Sequence, residues 1–250
     1  MEFNIIHLPM VDSTLNEARR YAFKGAKEGT VVRADTQTSG RGRSGRTWHS
    51  DDVNNLYFSL ILEPQYDYNK SHMVTLIVAM AVNNAIRKIT GLDTLIKWPN
   101  DIVYNGKKIC GILTELYFGD RQTPFQIPGV GINVSRKEFP DEIKDMATSL
   151  FVETGVEYNM EEILDCILKE FDPLYKKFLE NLTLDFLKED YEKVLANKEK
   201  GVRVLDPQEP FEGIAKGIDS VGALQVLTEN GEIKSVSSGE VSVRGIYGYV

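Results

Sequence analysis

The local pattern of the chain changes near Gly201, and this change constrains the fold more than any other feature. From there to residue 250, short segments rich in β-branched residues follow one another, separated by turns such as Asn230-Gly231. The predicted strands cover residues 202–205, 211–218, 224–227, 233–236 and 241–245. About 50 residues of closely spaced strands are typical of a small β-barrel. The sequence therefore predicts two units, residues 1–198 and 199–250, with the junction near residues 197–200.

The first unit contains both helices and strands. Residues 12–17 open a helix in which Thr14 and Glu17 have capping-box spacing, and Gly25 ends it. Apolar residues at helical spacing predict further helices over residues 71–89, 159–180 and 183–197. The predicted strands cover residues 30–35, 56–62, 94–98, 102–104, 108–118 and 125–134. Asn105-Gly106 predicts a hairpin turn between two of these strands.

Composition and charge exclude several classes of protein. The net charge of −8 argues against a general DNA- or RNA-coating role, because that affinity depends on neutralising phosphates. Cys110 and Cys166 lack metal-ligand or redox spacing, so reduced thiols in a cytoplasmic protein are expected. The first residues show no signal-like pattern, and the most apolar stretch, residues 73–82, is too short to span a bilayer. The sequence therefore predicts a soluble protein.

Residues 39–48 form a segment that we call the glycine-arginine loop. Its three arginines alternate with three glycines: Arg41, Arg43 and Arg46 with Gly40, Gly42 and Gly45. Glycine permits close backbone approach to a ligand, and arginine adds forked donors suited to phosphate or carboxylate. The pattern predicts a mobile loop that binds an anion. The alternative is a surface loop with solvated arginines; a nucleic-acid contact is disfavoured by the net charge.

Residues 97–101, Lys-Trp-Pro-Asn-Asp, form a second segment, which we call the Pro99 corner. It places a cation, an amide and a carboxylate close together between two predicted strands. The alternative is an ordinary turn with a tryptophan in the core.

Two strands add further candidates. In a regular strand Lys108, Cys110 and Ile112 would share one face, with Ile109, Gly111 and Leu113 on the other. Lys108 then suits a carboxylate or phosphate, unless it is an ordinary lysine at a hairpin end.

The strand over residues 125–134 carries Gly129 and Gly131 on one face. Two glycines weaken a strand unless a ligand or another backbone packs closely against it. Asn133 would be a polar anchor at the end of this strand. The glycines do not form a GxGxxG motif, and the chain has no Walker A sequence, so dinucleotide-binding and P-loop folds are not indicated.

The order of these motifs along the chain closely resembles that of the biotin protein ligases. The resemblance rests on residues 12–14, 40–46, 97–101, 108–113, 129–133 and 239–244. It implies an α+β fold: a seven-stranded mixed β-sheet flanked by helices, similar to class II synthetases, with a small C-terminal SH3-like β-barrel. Residues 1–198 would be the catalytic unit. Because the Ser13-Thr14 motif lies near residue 1, the resemblance also implies a monofunctional form without a DNA-binding domain.

The implied reaction has two steps. Biotin and MgATP give biotinyl-5′-AMP, and a lysine of a biotin carboxyl carrier domain then attacks this acyl-adenylate. ATP, biotin and Mg²⁺ are thus the implied ligands, and a homodimer is a further expectation from the family. The main competing hypothesis is a lipoate- or octanoate-type protein ligase, which shares the catalytic fold. A non-enzymatic nucleic-acid-binding module is a weaker one, given the acidity of the chain and the lack of a helix-turn-helix.

The resemblance also implies roles for individual residues. Expected biotin contacts are Ser13, Thr14, Gln37, Gly40, Arg41, Lys108, Gly111 and Gly129. Expected ATP contacts are Arg43, Arg46, Trp48, Asn100, Asn133, Glu240 and Arg244. The catalytic set is Lys108, Arg41, Arg43 and Asp101. Lys108 would contact both the biotin carboxylate and the α-phosphate, and Asp101 would bind Mg²⁺ or act as a general base. Ala147 replaces an aromatic residue that stacks on adenine in some relatives, so adenine packing must differ here.

Overall fold

We describe a computed structural model of the chain, covering residues 1–51, 53–118, 124–206, 208–237 and 242–245. Its helices are α1 (Thr14–Phe23), α2 (His72–Thr90), α3 (Leu150–Thr154), α4 (Met160–Asn181) and α5 (Asp185–Lys193). The strands of the first sheet are β1 (Asn4–Val11), β2 (Thr30–Gln37), β3 (Leu56–Leu60), β4 (Leu95–Lys97), β5 (Asp101–Tyr104), β6 (Lys107–Tyr117) and β7 (Phe125–Ile132). Those of the second are β8 (Gly201–Leu205), β9 (Phe211–Ile218), β10 (Leu224–Leu227), β11 (Ile233–Val236) and β12 (Ser242–Gly245).

The first sheet has seven strands in the order β1-β2-β3-β7-β6-β5-β4. The β1–β2 pair is parallel, and every other neighbouring pair is antiparallel. The sheet is therefore mixed, which confirms the expected α+β class. Its central strands β3, β7 and β6 place glycines opposite one another: Gly131 lies opposite both Tyr57 and Gly111, and Gly129 lies opposite Ser59.

Helices cover both faces of this sheet. Helix α2 packs on one face and α4 packs against α2, and together they form the large core with buried residues such as Ile77, Val82 and Phe171. Helix α1 packs on the other face through Leu15, Ala18 and Ala22. By length and composition, residues 68–90 could cross a membrane, but 72% of that apolar window is buried in the core. A core helix of a soluble protein passes the same test.

The second sheet is antiparallel, with strand order β11-β10-β9-β8-β12. It is consistent with the expected SH3-like domain. Within the described residues it is a five-stranded sheet rather than a closed barrel. Val202, Val204, Ala215 and Val226 alternate inward along its strands and join the large core.

Several expected elements differ from those observed. The sequence does not predict strand β1, because it is an edge strand whose side chains, Ile5 and Met10 among them, are largely exposed. Helix α1 begins after Ser13 as N-cap, not with a capping box at Thr14, because the Thr14 amide donates to Gln37 Oε1 at 2.8 Å. Helix α5 ends at Lys193, well before residue 197. The next residues instead lie beside β4, where Ile96 exchanges backbone hydrogen bonds with Val194 and Ala196.

Candidate active site

A cavity of about 360 Å³ opens where the glycine-arginine loop, the Pro99 corner and β12 meet; we call it the outer cavity. Its polar and charged lining is Arg43, Arg46, Thr47, His49, Lys97, Asn100, Asp101, Lys108, Asn133, Arg136 and Arg244. Its apolar wall includes Phe139, Ile143, Met146 and Ala147. Six cationic side chains and a single carboxylate, that of Asp101, thus line this cavity in the described part of the chain. In a chain of net charge −8, so local an excess of positive charge favours an anionic ligand.

A second and smaller cavity, of about 50 Å³, lies next to the first; we call it the inner cavity. Its lining includes Ser13, Thr14, Gln37, Arg41, Gly111 and Gly129. Both cavities are lined by Gly42, Arg43, Trp48, Asn100 and Lys108. All the expected biotin residues except Gly40 thus line the inner cavity, most of the expected ATP residues line the outer one, and Lys108 lines both.

Lys108 occupies this position because β6 is irregular. The register with β5 shifts, so that Ile102 lies opposite Cys110 while Val103 lies opposite Lys108. Ile109 is the extra residue, and it is buried in the large core together with Cys110. The expected alternation is therefore wrong here: Lys108 lies on the same side as Gly111, with Nζ 2.8 Å from where a Gly111 Cβ would be. Bulges often redirect a side chain near a functional site in this way.

Lys108 is held by both its side chain and its backbone. Its Nζ lies 2.6 Å from Asp101 Oδ1, and it also lies over the Trp48 ring, 5.2 Å from the centroid. Its backbone N–H donates to Met146, and its carbonyl accepts from Thr148. The segment that supplies the apolar wall of the outer cavity is thus hydrogen-bonded directly to the central lysine.

The Pro99 corner is deeply buried. Trp98 is 1% exposed, Lys97 6% and Asp101 7%. The pKa of the Lys97 ammonium is lowered to about 8, mainly by burial and in smaller part by the nearby cations Arg244, Lys108 and Arg46, while Asp101 opposes the shift. Asn100 accepts a hydrogen bond from Arg43 at 3.0 Å and donates to the carbonyl of Ile112 at 2.9 Å.

The glycine-arginine loop folds back on itself. Arg41 and Thr47 form an isolated antiparallel bridge, and Trp48 donates to the carbonyl of Gly40. A Cβ at Gly40 would lie 2.4 Å from both Trp48 O and Ser50 Oγ, so this turn requires glycine. Arg41 makes a bidentate ion pair with Glu115, at 2.9 and 2.8 Å, and contacts Asn16 at 3.1 Å. The loop thus rests on β6 through exposed polar contacts.

The glycines of the sheet make room for protein side chains in this structure. Trp48 lies across Gly131, where a Cβ would be 2.5 Å from its Nε1. Leu15 of α1 lies against Gly129, with Cγ 2.7 Å from the Cβ position. Trp48 Nε1 is buried and has no hydrogen-bond partner among the described residues. The indole therefore separates the two cavities while offering a donor between them.

Three more of the expected residues have defined positions in the structure. Thr14 Oγ1 accepts a hydrogen bond from the buried Ser59 at 2.9 Å, and Asn133 Nδ2 donates to the carbonyl of Thr148 at 3.0 Å. Arg244 lines the outer cavity from β12, whereas Glu240 lies outside the described residues. No group of three or more His, Cys, Asp or Glu side chains that could hold a metal occurs in the described part of the chain.

Sequence reasoning missed several residues of the site. Lys97 belongs to the Pro99 corner, but the sequence predicts no individual role for it. Arg136, Phe139, Ile143 and Met146 lie in an irregular segment without strand or helix periodicity, so no sequence pattern pointed to them.

Comparison with known families accounts for this arrangement. Residues 8–133 match the model of the "Biotin/lipoate A/B protein ligase family", and residues 199–244 match the "Biotin protein ligase C terminal domain". The chain therefore belongs to the biotin/lipoate protein ligase family. Within that family, the C-terminal match and the relatives below place it among the biotin protein ligases, so the lipoate-type alternative is not favoured.

Relatives in both sequence and structure agree. The chain is 37% identical over 244 residues to the bifunctional ligase/repressor BirA of Bacillus subtilis, covering 96% of this chain and 74% of that protein. It is 32% identical to the biotin–[acetyl-CoA-carboxylase] ligase of Paracoccus denitrificans, over 66% of this chain and 70% of the other. The biotin protein ligase of Aquifex aeolicus, solved with biotin and ATP, superposes with a TM-score of 0.85 at 35% identity, over 97% and 99% of the two chains.

Proposed function

We propose that this chain activates biotin with MgATP as biotinyl-5′-AMP and then transfers biotin to a lysine of a carboxyl carrier domain. One observation carries the proposal. Lys108 lines both a small cavity, which neutral polar groups, glycines and apolar side chains line together with Arg41 and Arg43, and a larger cavity lined by six cations. A biotin carboxylate and an ATP α-phosphate would have to meet at such a junction.

The inner cavity suits the uncharged bicyclic end of biotin. Ser13, Thr14 and Gln37 can donate to and accept from a ureido group, and the glycines remove side chains that would fill the space. The cavity is small here because Trp48 and Leu15 pack over Gly131 and Gly129. Entry of biotin would therefore require the indole to move away, which the exposed contacts of the loop permit.

In the first step a biotin carboxylate oxygen attacks the α-phosphorus, and the bond from that phosphorus to the bridging oxygen of pyrophosphate breaks. Two anions approach each other, so nearby cations must offset their repulsion. Lys108 and Arg43 are the two cations that line both cavities among the described residues. The ion pair of Lys108 with Asp101 holds the ammonium at this place before substrates bind.

The outer cavity suits the nucleotide. Arg46, Lys97 and Arg244 would bind the phosphates, and the wall of Phe139, Ile143, Met146 and Ala147 gives an apolar surface for adenine. Asn133 at the end of β7 would contact the base. Oxygen donors at Asp101 and Asn100 fit a Mg²⁺ ion held by one carboxylate together with phosphates. Bound there, Mg²⁺ would neutralise charge on the departing pyrophosphate.

In the second step the carrier lysine attacks the acyl carbon, an amide bond forms, and AMP leaves as the bond from acyl carbon to phosphate oxygen breaks. The attacking amine must lose a proton, and Asp101 is the carboxylate at the site that could accept it. An exposed acyl-adenylate would hydrolyse, so closure of the glycine-arginine loop over it would protect the intermediate.

The proposal also covers the partner, the location and the oligomeric state of the protein. We propose a biotin carboxyl carrier domain as acceptor, a cytoplasmic location, and a homodimer formed through a sheet edge. The acidity of the chain disfavours DNA as a partner. We also propose the division into a catalytic unit, residues 1–198, and an SH3-like domain, residues 199–250.

Labelled biotin, MgATP and a carrier domain test the proposal, with labelled lipoate as the parallel substrate. We expect biotin on the carrier lysine and none without ATP. A carrier domain whose acceptor lysine is replaced by arginine should remain unlabelled. Incorporation of lipoate but not biotin would overturn the proposal.

A further inference from the structure

The buried indole of Trp98 connects the catalytic unit with the C-terminal domain. Its Nε1 donates to the carbonyl of Gly222 at 3.0 Å, and its backbone N–H donates to Asn197 Oδ1 at 2.9 Å. Both hydrogen bonds are buried, and both partners follow α5, so they are at least 99 residues away in sequence. The middle of the Pro99 corner is thus held by residues of the junction and of the second sheet.

Gly222 belongs to a tight turn, residues 219–223, between β9 and β10. Asp219 Oδ1 accepts from the backbone N–H groups of Val221 and Ala223, at 3.0 and 2.9 Å. Gly222 has a φ of +82°, which disfavours other residues. A Cβ there would lie 2.8 Å from Leu76 and 2.9 Å from Leu184. The turn therefore fits closely against the catalytic unit.

Two more hydrogen bonds hold the 219–223 turn in place. His72 Nε2 at the start of α2 donates to the carbonyl of Val221 at 2.9 Å. The Leu184 N–H donates to the carbonyl of Ser220 at 2.7 Å. Three successive carbonyls of the turn, those of residues 220, 221 and 222, thus accept hydrogen bonds from three separate parts of the catalytic unit.

We infer that the 219–223 turn positions the nucleotide side of the active site through Trp98. Lys97, Asn100 and Asp101 lie next to Trp98 in the chain and line the outer cavity. The position of the Trp98 indole therefore determines where these three side chains meet the phosphates of ATP. Trp98 is a positioning residue in this scheme, and the C-terminal domain acts on ATP through it as well as through Arg244. The inference rests on the proposed function, because it requires ATP in the outer cavity.

The inner cavity allows the KM for biotin to serve as an internal control for the KM for ATP. Neither Trp98 nor any other residue of the Pro99 corner except Asn100 lines it. A loosened corner should therefore raise the KM for ATP and leave that for biotin nearly unchanged. General destabilisation would change both constants together or lower only the melting temperature.

Asp219→Ala is the main test, because Asp219 does not line either cavity among the described residues. We expect the KM for ATP in biotin-dependent ATP–pyrophosphate exchange to rise about 5- to 10-fold, with that for biotin within about twofold. Asp219→Asn keeps an oxygen that can accept from Val221 and Ala223, so it should restore the original value. Val221→Ser alters an exposed side chain of the same turn but not its carbonyl, and should change neither constant.

Trp98→Phe removes the indole N–H and should give the same split between substrates, with about a tenfold rise in the KM for ATP. Trp98 itself also lines the outer cavity. An effect in Trp98→Phe but none in Asp219→Ala would mean that Trp98 acts only as part of this lining, and would overturn the inference. Equal rises for ATP and biotin would also overturn it. If Trp98→Phe does not fold, Asp219→Ala and its asparagine counterpart decide alone. A lack of exchange in the unchanged chain would overturn the proposed function, and this inference with it.

Discussion

The two segments that line the outer cavity are held in opposite ways. The Pro99 corner is buried, and its backbone and indole are hydrogen-bonded to distant parts of the chain. The glycine-arginine loop is largely exposed, and Arg41 anchors it through an ion pair with a half-buried Glu115. Buried hydrogen bonds cost more to break than exposed ion pairs. The corner is therefore a fixed surface for phosphates, whereas the loop can open and close with little loss of stability.

Lys108 lies where the fixed corner meets the mobile loop, so its removal should have the largest effect. Lys108→Ala should slow biotin-dependent ATP–pyrophosphate exchange by about 100- to 1000-fold, because it removes the cation between the two reacting anions. The substitution also removes the ion pair between Lys108 and Asp101, and the loss of this pair should add to the effect. The neighbouring Lys107→Ala, which lines neither cavity, is the matched control. Exchange within tenfold of the unchanged chain would contradict the role of Lys108.

The loop should matter more for keeping the intermediate than for making it. Arg43→Gly should raise the dissociation rate of biotinyl-5′-AMP about 10- to 100-fold, since a charge-assisted hydrogen bond is lost, and should slow adenylate formation less. Arg41→Gly should act in the same direction. Stopped-flow release of preformed adenylate measures the rate. A dissociation rate equal to that of the unchanged chain would show that the loop does not retain the intermediate.

Lys97, in the buried Pro99 corner, should determine how kcat/KM for ATP depends on pH. Its ammonium must be charged to bind phosphate, and its pKa is lowered to about 8. It is therefore protonated below pH 8 and neutral above it. The kcat/KM for ATP should be constant below that pH and fall about tenfold for each further pH unit.

Lys97→Arg provides the control for this profile, because arginine stays charged throughout the range. The decline above pH 8 should disappear in this variant, even if the plateau is lower. The corresponding profile for biotin should lack the step, since Lys97 does not line the inner cavity. A decline that persists in Lys97→Arg would assign the titration to another group.

Much of this site could be predicted from the sequence because its motifs are local. Glycines and arginines within ten residues define the loop, and the residues of the Pro99 corner are adjacent in the chain. The elements that carry these motifs also have strong patterns, such as the apolar helix α2. A short-range sequence pattern is therefore sufficient to predict functional residues that lie together in one segment.

What the sequence did not reveal depends on contacts between distant residues. The bulge that turns Lys108 towards Gly111 arises from the register between β5 and β6, which no alternation of residues predicts. The wall containing Met146 is positioned by backbone hydrogen bonds to Lys108 rather than by a helix or strand of its own. The contact between Trp98 and Gly222 spans 124 residues. Such placements follow from the assembled fold and have no local signal.

The exposed anchor of the loop should have the smallest effect. Glu115→Gln removes the charge that pairs with Arg41 but keeps a side chain of similar size. Exposed ion pairs contribute little, so the loop should open only slightly more often, and adenylate dissociation should rise about two- to threefold. Asp93→Asn breaks another exposed pair, with Arg87, that lies in neither cavity lining and should leave the rate unchanged. A rise as large as that in Arg43→Gly would mean that the loop, like the corner, is rigidly held, and the contrast between the two segments would be lost.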